Sequence, residues 1–321
     1  MFFLITRRIL ISIPLISVVA FFIFSLQELA SGDFISELRA DPTVSNEVIE
    51  LYEKEFHLGE HFLVRFGSWY INALTGNFGY SFSYRMPVLD LIGSRLFNTL
   101  SLACASLLIA WGLALPFGTI SAVYKNRCID RCISFISYIG MSIPTIFFAL
   151  ILVFMAARTH LFPIGGSMSL GFESMNSFEK IKDLIAHLAL PSIVLGCAAM
   201  GHYMRQTRAY MIEVLKEDYI RVVESKGASR VRVIGKHAFI NILNPLITLF
   251  GYSLGFLLSG SFLVEIIFGW PGMARLTIDA LLHHDSPLLM ASCICASGML
   301  IIGNLIADIL LTIVDPRIRI R

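Results

Sequence analysis

Apolar residues gather into six long runs, at 9–26, 96–124, 132–157, 184–204, 238–264 and 286–307. A helix needs about 20 such residues to cross a bilayer, so each run predicts a membrane-spanning helix. Two stretches between the runs break this pattern. Residues 30–94 are polar and aromatic-rich, with an amphipathic segment at 44–56, after Asp41-Pro42, that predicts a short helix. Residues 216–245 form a charged, helix-forming island in which Lys and Arg outnumber Asp and Glu. Tyr219, Val222 and Val223 fall there at i, i+3 and i+4, one apolar stripe on an otherwise charged helix. Gly227 suits the left-handed position that ends such a helix. Ser229 is placed to cap the next helix, whose face Val231, Ile234 and Ala238 supply.

Single residues add detail to the runs. Pro116 and Gly118 close the second, Pro144 interrupts the third and Pro191 bends the fourth. A proline frees a carbonyl that neighbouring helices or water can satisfy, so Pro144 reads either as a packing kink or as a bend lining a pathway. Gly251, Gly255 and Ser259 form a small-residue stripe that predicts close helix packing. Asn304 and Asp308 are polar positions in the last run, costly in a bilayer and often functional there.

Composition agrees with a membrane protein: the 321 residues are 56% hydrophobic and 15% charged, with mean hydropathy +0.74. The reading is a single membrane domain: residues 1–29 as tail and first helix, 30–94 as an extramembrane segment, and 95–321 as a five-helix core with a polar loop at 205–240. Arg7-Arg8 before an apolar run resembles a signal peptide, but no small-x-small cleavage site follows cleanly, so the first run is expected to be a retained anchor. No tail or low-complexity segment suggests nucleic acid. Of six cysteines, Cys104, Cys197, Cys293 and Cys295 lie in apolar runs as small hydrophobes. Cys128 and Cys132 form a lone C-x3-C, and His57 and His61 stand at i, i+4 near Glu53 and Glu60. Both spacings are compatible with metal, yet both are usual on solvated helices, so no metal site is expected.

Charge fixes an orientation. The N-terminus, 125–131, 205–237 and the C-terminal tail together hold 16 Lys or Arg and six acidic residues; the opposite side holds nine basic and sixteen acidic residues. Basic residues accumulate on the cytoplasmic side, so both termini and the polar island are expected inside and 30–94 outside.

Gly227 followed by His237, Asn241 and Pro245 resembles the signature loop of ABC-transporter permeases, in the form found in peptide permeases. The usual Glu-Ala-Ala opening would align with Arg221-Val222-Val223, where this chain departs. Other stretches resemble the same family in the same order: 75–96 (TGNFGYSFSYRMPVLDLIGSRL), Phe162-Pro163-Ile164-Gly165-Gly166, the Phe-Gly-Trp-Pro-Gly turn at 268–272 with Asp285 and Pro287 beyond, and Asp315-Pro316-Arg317-Ile318-Arg319.

The resemblance implies an all-α integral membrane protein of six transmembrane helices with both termini cytoplasmic, the permease fold of type I ABC importers in a bacterial inner membrane. It implies a coupling loop carried by Tyr219, Val222, Val223, Ser225, Gly227, Ala228, Ser229, His237, Asn241 and Pro245 and seated in a groove of an ATPase. It implies that Glu265, Trp270, Pro271, Gly272 and Asp285 help form an outer gate; by its chemistry Glu265 reads as a partner for a substrate amine or, preferably, for an arginine such as Arg275 in an interfacial ion pair. The implied partners are a second homologous permease, two ABC ATPases, an extracytoplasmic solute-binding protein and lipid. ATP and magnesium would be held by the ATPases, since no G-x-x-x-x-G-K-[ST] loop occurs here. The implied cargo is di- or oligopeptides; nickel chelates, other small solutes and export occur in the same family.

Two other classes find less support in the sequence. An ion-coupled secondary transporter needs charged relays deep in the spans, and few positions beyond Asp308 offer one. An intramembrane enzyme would need more than His187, Ser192 and His202, which no catalytic motif accompanies. The orientation makes a direct prediction. Single cysteines placed near Asp41 should react with a membrane-impermeant thiol reagent in intact cells, and those near Arg230 only after permeabilisation; reversed labelling would overturn the topology.

Overall fold

The computed structural model describes residues 2–29 and 60–314, with the side chains of 2–5, 9, 254–260, 307, 311, 313 and 314 outside the description. Asp41-Pro42, the 44–56 segment, His57 and the Asp315–Arg319 tail therefore lie outside the described residues. The chain forms α1 (Phe2–Leu29), α2 (Phe62–Leu74), a hairpin of β1 (Tyr80–Ser81) and β2 (Met86–Pro87), then α3 (Val88–Val123), α4 (Cys128–Ser142), α5 (Thr145–Thr159), α6 (Ser177–Val214), α7 (Asp218–Ser225), α8 (Phe239–Ile267), α9 (Met273–Leu282) and α10 (Ser286–Val314). Five helical segments are long and apolar enough to span a membrane, and α4 with α5 makes a sixth as a bent pair. All six apolar runs are thus helical.

The third run differs from its expectation. At Pro144 the helix is broken and turned by 96°, rather than kinked. Ile143, the residue before the proline, is held extended at φ −81°, ψ 118°, because the pyrrolidine ring excludes helical backbone there. Two 15-residue helices result, each about 22 Å long and short of the ~30 Å hydrocarbon core. By contrast, α3, α6 and α8 run through Pro116, Pro191 and Pro245 without ending. The start of α6 is fixed by a reciprocal cap: Asn176 Oδ1 accepts from the Glu179 N–H (2.9 Å), and Glu179 Oε2 from the Asn176 N–H (3.1 Å).

The chain divides into two compact units. The first holds residues 99–270 and the end of α10, and its centre is α6. Lipid-like surroundings give apolar side chains no reason to prefer one another, so helices associate by close packing and hydrogen bonds. Glycines provide that closeness. A Cβ on Gly201 would lie 2.6 Å from the Ser137 carbonyl of α4; one on Gly196, 2.8 Å from Ile109 of α3; and one on Gly118 of α3, 2.7 Å from the Met204 carbonyl of α6. Ser137 Oγ donates to the Gly201 carbonyl at 2.8 Å in the same contact. Trp111 of α3 stacks on Tyr203 of α6 (centroids 4.6 Å apart, planes at 14°) and donates from Nε1 to Ser253 of α8 at 3.1 Å. The sequence pointed instead to Gly251, Gly255 and Ser259. Gly251 is buried, while the side chains at 255 and 259 lie outside the described residues.

Near the basic ends of these helices sits a buried carboxylate, Asp130. Its oxygens accept from Arg208 Nε and Nη2, both at 2.8 Å, from Ser121 Oγ at 2.5 Å and from the Asn126 N–H at 2.8 Å. The two-toothed guanidinium contact joins α4 to α6, and Ser121 adds α3.

The second unit holds residues 6–98 and 271–299. α2 lies along α1 through a ring cluster of Phe21, Phe24, Phe62 and Phe66, an Arg65–Glu28 ion pair (3.0 Å) and a Ser17–Tyr70 hydroxyl contact (2.5 Å). Val88, Leu91 and Ile92 of α3 pack with Met273, Leu276 and Ala280 of α9 and Leu288 and Ala291 of α10.

The glycine contacts give a stability prediction. Gly201→Leu forces a side chain into the Ser137 backbone and should cost at least about 1–3 kcal/mol. It should lower the thermal unfolding midpoint of the detergent-extracted protein, whereas Gly298→Ala, which has open space around it, should not.

Candidate functional site: the polar island and the outer turns

The island begins where α6 ends. α7 closes at Lys226 with both bonds of a Schellman turn: the Ala228 N–H reaches the Val223 carbonyl (3.4 Å) and the Gly227 N–H the Glu224 carbonyl (2.9 Å). Gly227 itself stands at φ +82°, the left-handed region predicted for it. Nothing lies within 4 Å of where its Cβ would be, so backbone conformation alone calls for glycine. Ser229 occupies the cap position of a single turn, Arg230–Arg232, but its side chain makes no cap bond; its carbonyl accepts from the Val233 N–H at 2.9 Å. A π-helical turn, Val233–Ala238, then feeds α8, with the Phe239 N–H reaching back five residues to Ile234.

Both predicted apolar stripes are corrected. On α7 the inward residue is Ile220, 2% exposed, with Val223 beside it; Tyr219 and Val222 are exposed. Ile220 packs into the cluster that includes Met211, Val233, Ala238 and Ile242, so the inward face keeps Val223 but is turned from Tyr219 and Val222 toward Ile220. In the second stripe Val231 is 82% exposed and Val233 is buried in its place. The extra residue of the π turn shifts the register ahead of Ile234 and Ala238, which do face inward.

Tyr219 has a different task from the one its spacing suggested. Asn241 Nδ2 donates to the Tyr219 hydroxyl (2.9 Å) and to the His237 carbonyl (2.6 Å), and the hydroxyl donates on to that carbonyl (3.3 Å). Burial pushes the Tyr219 phenol above its ordinary value, and the Glu217 carboxylate adds to this against the Asn241 bond, so the hydroxyl keeps its proton. Pro245 follows one turn later in α8 and has no N–H for the Asn241 carbonyl. Ser225 Oγ donates back to the Val222 carbonyl at 2.9 Å. Tyr219, His237 and Asn241, scattered over 23 positions, thus form one knot between α7, the π turn and α8. Left outward are Val222, Val231 and the charged side chains Asp218, Arg221, Arg230 and Arg232.

The outer turn candidates fall in separate units. In the first, Glu265 is fully buried, and its carboxylate accepts from Thr99 Oγ1 (2.8 Å) and Ser261 Oγ (3.1 Å). The buried Trp270 donates its N–H to the Glu265 carbonyl at 2.8 Å. Two motifs read independently meet here. The Gly166 N–H bonds the Phe268 carbonyl at 2.8 Å, and a Cβ on Gly165 would lie 2.4 Å from that same oxygen.

In the second unit the Pro271 carbonyl accepts from Asn98 Nδ2 (2.8 Å), and Gly272 stands before α9. Asp285 is fully buried at the start of α10, accepting from the Leu288 N–H (3.3 Å), Ser81 Oγ (2.6 Å) and the Ser83 N–H (3.0 Å). Tyr84 donates to Asp279 at 2.8 Å, and burial first, then that bond, pushes its phenol up.

His187, Ser192 and His202 stand apart from one another. His187 is buried against Asp183, whose carboxylate accepts from Ser169 Oγ at 2.5 Å; His202 is exposed beside the Tyr203 ring; and Ser192 is buried. No catalytic arrangement joins them. The Asp130–Arg208 pair was missed by sequence reading; an acidic residue in the basic 125–131 loop was its only signal.

A bundle of apolar, glycine-packed helices, interrupted by one ordered polar island on its basic side, is the architecture of a membrane transporter's permease. Residues 114–320 match the family described as binding-protein-dependent transport system inner membrane component, and the chain belongs to that family. It is 39% identical over 316 residues, 98% of each chain, to the oligopeptide transport system permease protein AppB of Bacillus subtilis. It is 34% identical to the probable peptide ABC transporter permease protein y4tP of Sinorhizobium fredii (98% of each chain) and to the glutathione transport system permease protein GsiC of Escherichia coli (98% of this chain, 97% of that protein). A crystal structure of the MetNI methionine ABC transporter in inward-facing conformations shares the fold, at TM-score 0.57 and 15% identity over 71% of this chain and 97% of that one. The protein is a multi-pass inner-membrane transport component.

The Tyr219 knot gives a local prediction. Asn241→Ala removes two donations and should loosen the island, raising its rate of proteolysis at Lys216–Lys236 severalfold over wild type; an unchanged rate would show the knot to be dispensable.

Proposed function

We propose that this chain is one of two homologous permease subunits of an ATP-driven importer of di- or oligopeptides. The observation that carries the coupling role is the ordered outward face of the island. α7 is sealed by the Gly227 turn, keyed into the core by Ile220 and tied to α8 by Tyr219, His237 and Asn241. A face so held moves with α6 and α8 rather than independently of them. The exposed Val222 and Val231, set among charged residues, offer an ATPase an apolar contact with a polar rim.

In this reading two ATPases bind ATP and magnesium, and their closure displaces the island. α6 and α8, packed directly on it, carry the displacement into the membrane. A solute-binding protein delivers peptide on the opposite, acidic side. The peptide assignment rests on the likeness to oligopeptide, peptide and glutathione permeases over 98% of this chain. The glycine stretches around Phe268 and the Asp285 clamp are proposed to shape the outer gate, each within its own unit.

The test is reconstitution of the full complex with its ATPases and binding protein. Gly227→Val places a β-branched residue in left-handed backbone, a strain of about 1–2 kcal/mol, enough on conversion for roughly a tenfold loss of coupled transport. Peptide uptake should fall by that order while assembly and basal ATP hydrolysis persist. Uptake at the wild-type rate would overturn the coupling assignment, and uptake without any ATPase partner would overturn the ATP-driven reading itself.

A further inference from the structure

A small open cleft of about 40 Å³ lies between α4 and α6, with Ser121 of α3 at its edge, beside the Asp130–Arg208 pair. Ser121, Ser134, Ser137, Tyr138, Arg205 and Arg208 give it its polar lining. Its charges do not balance. Asp130 is matched by Arg208, which spends Nε and Nη2 on it and keeps Nη1 free in the described bonding. Arg205 is exposed and, among the described residues, has neither a hydrogen bond nor an ion pair. The cleft therefore carries one uncompensated positive charge, with hydroxyls and a phenol around it.

Depth narrows the choice of anion. Ser134–Tyr138 lie six to ten residues beyond the first residue of α4, about 9–15 Å along the axis. Arg205 and Arg208 lie nine and six residues before the end of α6, about 9–14 Å. The charge distribution of the sequence predicts that both elements enter the membrane from the basic side, which would set the cleft near the level where lipid headgroups meet hydrocarbon. Phe135, Ile136 and Ile139 beside Tyr138 on α4 are all exposed, a wall fit for acyl chains, and Arg131 stands two turns above Tyr138 on the same side of the helix.

We propose that this cleft binds the phosphate of an anionic phospholipid, with Arg205 as the primary contact, Tyr138 and the free edge of Arg208 as further donors, and the acyl chains laid against α4. The site is independent of the transported solute. It places a lipid at the junction of α4 and α6, the same junction that the Asp130 pair fastens and from which the polar island extends.

The experiment measures lipid binding by the assembled, delipidated complex, using native mass spectrometry to count retained phosphatidylglycerol against phosphatidylcholine. Arg205→Gln, which leaves the Asp130–Arg208 pair intact, should weaken phosphatidylglycerol retention about fivefold, the effect of one basic residue at an anionic surface. Arg205→Lys should recover part of it, and Lys125→Gln, a basic change outside the cleft, should have no comparable effect. Equal retention by wild type and Arg205→Gln, or an equal loss in Lys125→Gln, would overturn the site. Inorganic phosphate is the second arm. If phosphate displaces phosphatidylglycerol from wild type at equal concentration, the site takes a soluble anion and the lipid assignment fails; displacement only by anionic lipid supports it.

Discussion

Everything in the first unit depends on one carboxylate placed where water is scarce. Asp130 is 4% exposed, and its oxygens are answered by a guanidinium, a hydroxyl and a backbone N–H from three directions. Removing one partner of a fully buried pair costs about 3–5 kcal/mol, less here because Arg208 retains some contact with solvent. An uncompensated charge has no comfortable alternative in this setting, so the ends of α3, α4 and α6 are held together. The glycine approaches along α6 then have a fixed starting point. Gly201, Gly196 and Gly118 bring backbones close in the same three-helix contact.

From that junction the structure leads outward in a continuous line. α6 passes through its packed middle, clears the Asp130 pair and turns into α7. α7 returns to the bundle through Ile220 and to α8 through the Tyr219 hydroxyl. The π turn between them is the device that makes this possible. Its additional residue rotates Val231 out and Val233 in, leaving an apolar spot exposed while the chain stays helical into α8. A loop built this way has few independent motions, which is what transmission of a mechanical event requires.

The turns around Glu265 and Asp285, each within its own unit, are organised by a different rule. There the groups are held singly, each by its own buried acceptor. Glu265 answers Thr99 and Ser261, and Asp285 answers Ser81, Ser83 and the first turn of α10. Gly165 fits against the Phe268 carbonyl with no room for a methyl group. Motifs that looked like separate signatures in the chain are in two cases halves of one contact: 162–166 with Phe268, and the 80–84 stretch with Asp285 and Asp279.

The sequence by itself determined the class, the six apolar helices, the polar island and the left-handed glycine at 227. Each depends on local chemistry: length of an apolar run, balance of charge, or a backbone angle only glycine takes at ease. Tertiary structure alone decided which face of α7 turns inward, because Tyr219 and Ile220 are both apolar enough to serve and only the position of Met211 and Val233 selects between them. It alone decided that Pro144 breaks a helix with a 96° turn while Pro116 and Pro191 do not, since the same ring occurs in all three apolar runs and only the packing around each settles the outcome. Above all, the Asp130–Arg208 pair spans 78 positions. No periodicity reaches so far along a chain; only the packing of α4 against α6 brings that acid to its base.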